Sequence, residues 1–214
     1  MRVIKPCAKL VWITPSPEKT IEQIGRTCYK SEDKITEDSA GKFCRMLIRR
    51  GHEAMIEHAS ASFRFITDRG ISHEIVRHRI ASYAQESTRY CNYSKDKFQG
   101  ITMIRPSGIF EDDRAWIEAC EKAEAEYLNL IQRGAKPEMA RSVLPTCLKT
   151  EIVMTANLRE WRHFIKMRLD SPAHPDVRVL AYQVFKRLNT LAPSVFADLE
   201  IFAIDYLRQQ EPDE

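Results

Sequence analysis

Two hydrophobic rhythms run along the chain, one of period two and one of helical period, and between them they lay out most of the elements. Within Arg2 to Thr14, the run Leu10-Val11-Trp12-Ile13 is rich in β-formers and stops at Thr14-Pro15-Ser16-Pro17, a turn signal. Pro17-Glu18 opens a helix to about Lys30, with Ile21, Ile24 and Cys28 at helical spacing. A second helix fits Ser39 to Arg50, burying Phe43, Met46 and Leu47, and Gly51 stops it. From Ala59 to Thr67 the period becomes two. Ala61, Phe63 and Phe65 fall on one face, which predicts a strand. Asp68-Arg69-Gly70 turns the chain, and Ile71 to about His78 reads as a short helix.

Asn92 to Gly100 is polar and reads as a loop before a short strand at Ile101 to Ile104. A long helix covers about Asp112 to Arg133 and ends at Gly134; a short one starts at Lys136-Pro137-Glu138, holds Arg141 and ends near Leu144-Pro145. Thr150 to Ala156 is a further strand. Leu158 to Leu169 is a helix with Asn157 as its N-cap and Glu160 three residues on, a variant of the capping box. Another helix spans about Asp176 to Leu191, Ala192 to Tyr206 continues helical, and Gln209 to Glu214 is an acidic, frayed end. No internal repeat or low-complexity linker breaks the pattern, so a single α/β domain over residues 1–214 is expected. Its strands are few and separated by long helices, and a glycine-rich dinucleotide turn is missing.

Composition narrows the classes. At 214 residues, 43% hydrophobic and 29% charged, the chain can build its own core without staples. A net charge of only +3 argues against a general nucleic-acid binder, and shifts the interest to local clusters of charge. The six cysteines form no CxxC pair, the N-terminus has no apolar signal core, and no run approaches the ~18 apolar residues of a membrane span. A cytoplasmic chain with reduced thiols is the expectation.

The densest cluster is Arg77-His78-Arg79-Ile80-Ala81-Ser82-Tyr83-Ala84-Gln85-Glu86-Ser87-Thr88-Arg89-Tyr90. It holds no lysine; its cations are arginines, whose planar fork suits phosphate and carboxylate, with hydroxyls between them. It reads as a cradle for a polyanion. Ser87 lacks the Gly-x-Ser-x-Gly turn of a nucleophile elbow, so it reads as a positioning hydroxyl. His52 and His58, with Glu53, Glu57, His73 and His78, offer metal-ligand types, but the spacing is not HExxH and completes no compact ligand set, so no metal is assigned. In the Leu158–Leu169 helix, Arg168 falls on the stripe of Leu158, Trp161, Phe164, Ile165 and Leu169. Either it faces an anion, a carbonyl-rich ligand or a carboxylate there, or it snorkels at the helix end or pairs with Asp170.

These residues resemble the signature of the flavin-dependent thymidylate synthases: Arg77-His78-Arg79, seven residues, Ser87, then Arg89-Tyr90. The likeness extends in order through Gly51-His52-Glu53 with Glu57-His58, Glu138-Met139-Ala140-Arg141 with Val143-Leu144-Pro145, Thr155-Ala156-Asn157-Leu158-Arg159, and Arg168-Leu169-Asp170-Ser171 with His174. The resemblance implies an α/β fold with an antiparallel sheet among helices, and a homotetramer with active sites shared between subunits. It implies reductive methylation of dUMP to dTMP, with methylenetetrahydrofolate as carbon donor, NADPH as reductant and FAD as the flavin. Arg168 would be catalytic. Ala54, Arg77, His78, Arg79, Gln85, Asn157, Leu158, Arg159 and His163 would hold FAD. Glu74, Arg77, Gln85, Glu86, Ser87, Thr88, Arg89, Arg141 and Arg168 would hold dUMP, with Arg141 coming from another subunit. Some members have Asn-Glu where Ala84-Gln85 stand, which replaces a carboxylate by an amide. Two rival readings remain in other classes: a module gripping a nucleic-acid backbone through Arg77, Arg79 and Arg89, and a metallohydrolase built on His52 and His58.

Overall fold

A computed structural model describes residues 1–210; the end of the acidic C-terminal tail, 211–214, lies outside the described residues. In chain order the elements are β1 (Arg2–Ile4), β2 (Cys7–Ile13), α1 (Pro17–Arg26), α2 (Ser39–Arg50), β3 (Ser60–Asp68), α3 (Arg69–Ile75), β4 (Ser82–Gln85), β5 (Thr102–Ile104), α4 (Arg114–Gln132), α5 (Pro137–Ala140), β6 (Lys149–Asn157), α6 (Leu158–Leu169), α7 (Pro175–Leu191), α8 (Pro193–Phe196) and α9 (Glu200–Arg208). The fold is mixed α/β with an antiparallel sheet among helices. Its four-stranded sheet has the order β2-β3-β6-β4, and β1 and β5 form a separate parallel pair in register Arg2↔Thr102 to Ile4↔Ile104.

The chain divides into two compact units. The first holds Met1–Cys7, Phe65–Arg77 and Ala84–Ile152; the second holds Ala8–Arg64, His78–Tyr83 and the chain from Val153 on. In the first, a core of Tyr93, Ile101, Met103, Cys120, Tyr127, Ala140 and Leu148 collects under α4 and α5. Asp113 caps α4 by accepting from Trp116 N at 2.9 Å, and Gly134, at φ +89°, turns the chain out of it. The N-terminal ammonium is tied to Glu124 at 2.8 Å, which anchors β1.

The second unit is mainly helical: α6 packs on α7, α1 on α2, and α8 on both α2 and α7. Its interior is built from Phe63, Trp161, Phe164, Val177, Leu180, Val184, Leu188 and Phe196, all 0–1% exposed. The Trp161 ring meets Phe63 edge-on with centroids 5.0 Å apart, and its Nε1–H donates to the Ala61 carbonyl at 3.0 Å. The aromatic mass is therefore buried with its one polar atom satisfied.

Several boundaries differ from those read in the sequence. The first helix ends at Arg26 and tightens into a 3₁₀ turn at Thr27–Tyr29. The helix expected over Ile71 to His78 runs instead from Arg69 to Ile75, because Asp68 caps it by accepting from Ile71 N at 2.8 Å, two residues earlier than expected. Arg77, His78 and Arg79 accordingly lie beyond the helix. Ser82–Gln85 is a strand that polar composition conceals, and Glu53–His58 is a 3₁₀ segment. By contrast α6 starts and stops where the pattern puts it. Asn157 ends β6 and caps α6, accepting from Glu160 N at 2.8 Å, so strand and helix join with no residue between them.

Candidate active site

The signature stretch is shared between the two units, and each part gathers its own partners. In the first unit, β4 delivers Gln85 and the chain then continues through Glu86, Ser87, Thr88 and Arg89. Glu86 N donates to the Glu151 carbonyl at 2.8 Å, which extends the pairing by one residue beyond the strand. Gln85 Nε2 donates to Ser72 Oγ (2.9 Å) and to Thr150 Oγ1 (3.3 Å). Ser72 spends its own hydroxyl proton on the Arg69 carbonyl at 2.8 Å, so it must accept from Gln85. This fixes the amide orientation.

Glu86 sits in a small charged network. Tyr93 donates to its Oε1 at 2.9 Å and Lys149 Nζ to its Oε2 at 2.9 Å, while Lys149 also reaches Glu151 Oε1 at 2.8 Å. Burial works against the Lys149 charge, but the hydrogen bonds to Glu151 and Glu86 outweigh it and raise its pKa. Burial, reinforced by Glu86, holds the Tyr93 phenol well above its usual range. Both carboxylate oxygens of Glu86 are thus engaged by the protein itself. Beside it, Arg141 Nη1 donates to Thr88 Oγ1 at 2.8 Å within the same chain, and Arg89 lies 3.7 Å from Glu138 with both side chains open to solvent. Ser87 Oγ accepts from Arg89 N at 3.3 Å, which shapes the turn. The result is a loop with Arg89 and Arg141 flanking two hydroxyls, a suitable grip for a phosphate. Arg77 is exposed, and its backbone N–H closes the turn on Glu74 O at 3.3 Å.

In the second unit, His78 is 3% exposed, whereas Arg79 beside it is exposed. Its Nδ1 lies 3.2 Å from Glu160 Oε1 and its Nε2 lies 3.1 Å from Arg168 Nε. The ring stands edge-on to Phe164 (4.9 Å) and to His163 (5.4 Å), and Tyr83 donates to the His78 carbonyl at 2.6 Å. Burial, the Arg168 charge and His163 together lower the His78 pKa to about 4, so the ring is neutral at physiological pH. Burial raises Glu160 above its ordinary value, and it pushes the Tyr83 phenol up to about 12. Arg168 Nε donates to His78 Nε2 on the apolar face of α6, a partner that neither sequence reading named.

Asn157, Leu158, Arg159 and His163 come together around the start of α6. A cavity of about 480 Å³ there is lined by Glu53, Glu57, Ile80, Asn157, Arg159, Glu160, Arg162, His163 and Lys166. Arg159 is held by Glu57 (2.6 Å) and Glu53 (3.4 Å), while Arg162 forks onto Asp198 at 2.6 and 2.7 Å. Ala54 lies exposed in the 3₁₀ segment that carries both glutamates. Both carboxylates are paired with Arg159. Among the described residues, the group with metal-ligand geometry is His78, Glu160 and His163, with neither His52 nor His58 in it.

Sequence reading singled out neither Lys149 nor Tyr93, and saw Glu160 only as a helix-capping residue. Signals for two of them were present. Lys149 and Glu151 share one face of a strand by period two, and Glu160, Phe164 and Arg168 recur at steps of four along α6.

Residues 9–194 match the family model described as thymidylate synthase complementing protein. The flavin-dependent thymidylate synthase of Mycolicibacterium gilvum is 36% identical over 206 residues, covering 86% of this chain and 80% of that protein. The chain belongs to this family, the flavin-dependent thymidylate synthases. Further members include that of Mycobacterium tuberculosis, 37% identical over 205 residues (85% of this chain, 79% of that protein). Another, from Geobacter sulfurreducens, is 32% identical over 192 residues (86% and 83%). The fold resembles that of the UMP/dUMP methylase PolB from Streptomyces cacaoi, solved with 5-Br dUMP. The TM-score is 0.80 at 23% identity, over 95% of this chain and 98% of that one. Family membership accounts for the order of the five matching segments, from Gly51 through His174, and for the antiparallel sheet among helices.

Proposed function

We propose that the chain carries out the flavin-dependent reductive methylation of dUMP to dTMP. Methylenetetrahydrofolate donates the carbon, NADPH is the reductant and FAD is the resident cofactor. A bound FAD would supply the redox chemistry that links NADPH to the reduction of the base. The observation that carries the reading is Arg168, a cation on the apolar face of α6 whose Nε is held by a neutral histidine. Arg168 hydrogen-bonds the uracil and favours ionisation at its N3, which raises electron density on the carbon to be alkylated. A fixed cation beside a developing anion is electrostatic preorganisation. No enzyme nucleophile is required, so Ser87 positions the substrate.

Within the 480 Å³ cavity, Lys166 offers a cation for a flavin diphosphate, Ile80 an apolar contact, and Arg159, exposed at its rim, a second cation if it leaves Glu57 and Glu53. FAD is held by Ala54, Arg77, His78, Arg79, Gln85, Asn157, Leu158, Arg159 and His163. The nucleotide takes Glu74, Arg77, Gln85, Ser87, Thr88, Arg89, Arg141 and Arg168. Glu86 shapes the nucleotide loop, its carboxylate held by Tyr93 and Lys149 and its backbone by Glu151 and Arg69. The active enzyme is a homotetramer whose sites are completed by neighbouring subunits; Trp12, Ile80, Tyr90 and Met139, 45–79% exposed in the single chain, support such burial. Among the described residues no helix is long and apolar enough to cross a membrane. With six free cysteines, the reading includes a cytoplasmic, reducing location.

The test is a visible spectrum of the purified protein with and without FAD and dUMP, followed by dTMP formation from all three substrates. A flavin band perturbed by dUMP, and product that depends on both NADPH and methylenetetrahydrofolate, are expected. A colourless protein that binds neither FAD nor dUMP sinks the reading.

A further inference from the structure

The proposed chemistry uses Arg168 and leaves Glu160 without a task, yet the geometry of Glu160, His78 and Arg168 allows only one arrangement of protons. A guanidinium Nε carries a hydrogen and has no lone pair to offer, so His78 Nε2, 3.1 Å away, must be the acceptor. A ring with a bare Nε2 carries its proton on Nδ1, and Nδ1 faces Glu160 Oε1 at 3.2 Å. The other neutral tautomer sets N–H against N–H at Arg168 and leaves the Glu160 carboxylate facing a lone pair. A doubly protonated ring repeats the first clash and places two cations in contact. The chain of hydrogen bonds therefore has one direction, from the guanidinium through the imidazole to the carboxylate.

The three groups are also held in place. Glu160, Phe164 and Arg168 recur at steps of four on α6, so the helix sets their separation, and the Asn157 cap fixes the Glu160 backbone at 2.8 Å. Phe164 and His163 stand edge-on to the imidazole, and Tyr83 anchors the His78 carbonyl. The same arrangement answers the metal-like grouping of His78, Glu160 and His163. With one ring nitrogen protonated and the other accepting from Arg168, His78 has no lone pair left for a cation.

We propose that Glu160 is a positioning residue. By accepting the Nδ1–H of His78 it selects the tautomer whose Nε2 holds Arg168, and so sets the plane in which the guanidinium meets the nucleotide. Glu160 also lines the cavity beside α6, but in this role its effect on turnover passes through His78. The link to turnover rests on the proposed methylation of dUMP, whereas the tautomer of His78 stands independently of it.

The experiment has two arms. In the first, ¹H–¹⁵N spectra of the imidazole nitrogens are recorded on the purified wild-type protein at neutral pH, with His78→Gln assigning the His78 signals by their loss. A neutral ring protonated at Nδ1 is expected; a ring protonated at Nε2, or at both nitrogens, overturns the proposal whatever the activity. In the second, Glu160→Leu and Glu160→Gln are compared for dTMP formation and for flavin reduction by NADPH. The leucine fills a similar volume but accepts nothing, so kcat per bound flavin falls by about tenfold or more, with KM for dUMP and flavin reduction per bound flavin held near wild type. The glutamine still offers a carbonyl oxygen and restores most of that loss, with the ring tautomer following the same order. A leucine variant that turns over at the wild-type rate removes the role. If the leucine variant does not fold, the wild-type ring spectrum and the glutamine variant still decide. A wild-type protein with the Nδ1 tautomer that makes no dTMP overturns the proposed function and leaves the hydrogen-bond chain standing.

Discussion

In the unit containing Ala84–Ile152 the arginines stand at or near the surface, whereas around His78 the polar groups are sunk among aromatic rings. Arg89 and its partner Glu138 are 56% and 40% exposed; His78 and Glu160 are 2% and 8%. Charge at the surface can be added cheaply, because water shares the cost of every unpaired atom. In the buried cluster each donor must meet one acceptor, and a misplaced proton costs as much as a lost partner. One signature stretch spans both regimes: its Glu86–Arg89 part presents charge to solvent, its His78 part a fixed placement of protons. The first is suited to an anion that arrives and leaves, the second to holding one cation in a fixed pose.

Substitutions separate the regimes, starting with the deepest. Trp161→Ala, which opens the core between Phe63 and Phe164 and strips the Ala61 carbonyl of its donor, is expected to cost about 3–5 kcal/mol in urea unfolding. A loss below about 1 kcal/mol would show that the buried cluster is not held by its packing. Arg168→Ala is expected to lower dTMP formation by roughly 100- to 1000-fold, the scale of one preorganised electrostatic group, with flavin absorbance retained. Near-wild-type turnover would place the chemistry elsewhere.

Acidity discriminates next. His78 has its pKa lowered to about 4 in the folded chain, against 6.5 for the free group. Between those values the unfolded chain binds the proton and the folded one does not. Stability therefore falls as the pH drops through that window, by up to about 3 kcal/mol. Glu160, raised by burial, works in the opposite sense over its own interval, since there the folded chain holds the extra proton. Urea titrations at neutral and mildly acidic pH should show a dependence that His78→Gln flattens; identical slopes in both proteins would contradict the buried neutral ring. Arg141→Ala should have the smallest effect of the four, raising KM for dUMP by about tenfold (~1.4 kcal/mol) with unfolding little changed, because its bond to Thr88 is half-exposed. A large drop in stability would assign Arg141 to the fold instead of the ligand.

Local features were legible in the sequence and distant partnerships were not. The bounds of α6, its Asn157 cap and the place of Arg168 on its apolar stripe all follow from residues within a few turns of one another. The partners of His78 are 82 and 90 residues away, so no periodicity could announce them. Strand β4 escaped notice because its Ser82-Tyr83-Ala84-Gln85 has no apolar alternation; it takes its place at the end of the sheet order through pairing. The arginines of the signature stood out by composition, yet the commitment of Glu86 to Tyr93 and Lys149 depends on strands and loops brought together by the fold. The same holds for β1, whose partner β5 lies about a hundred residues downstream.

The direct joint between β6 and α6 has a consequence for how this chain can vary. Asn157 is both the last strand residue and the helix cap, and Leu158 N donates to the Ala59 carbonyl at 2.8 Å, so both sides of the joint are pinned. One inserted residue would have no loop to occupy and would rotate the helix by about 100° about its axis. Glu160, Phe164 and Arg168 would swing off His78 together, and Trp161 would leave its pocket. Length changes in descendants of this sequence are therefore confined to other places, and a library that randomises the joint should keep its residue count while varying its letters.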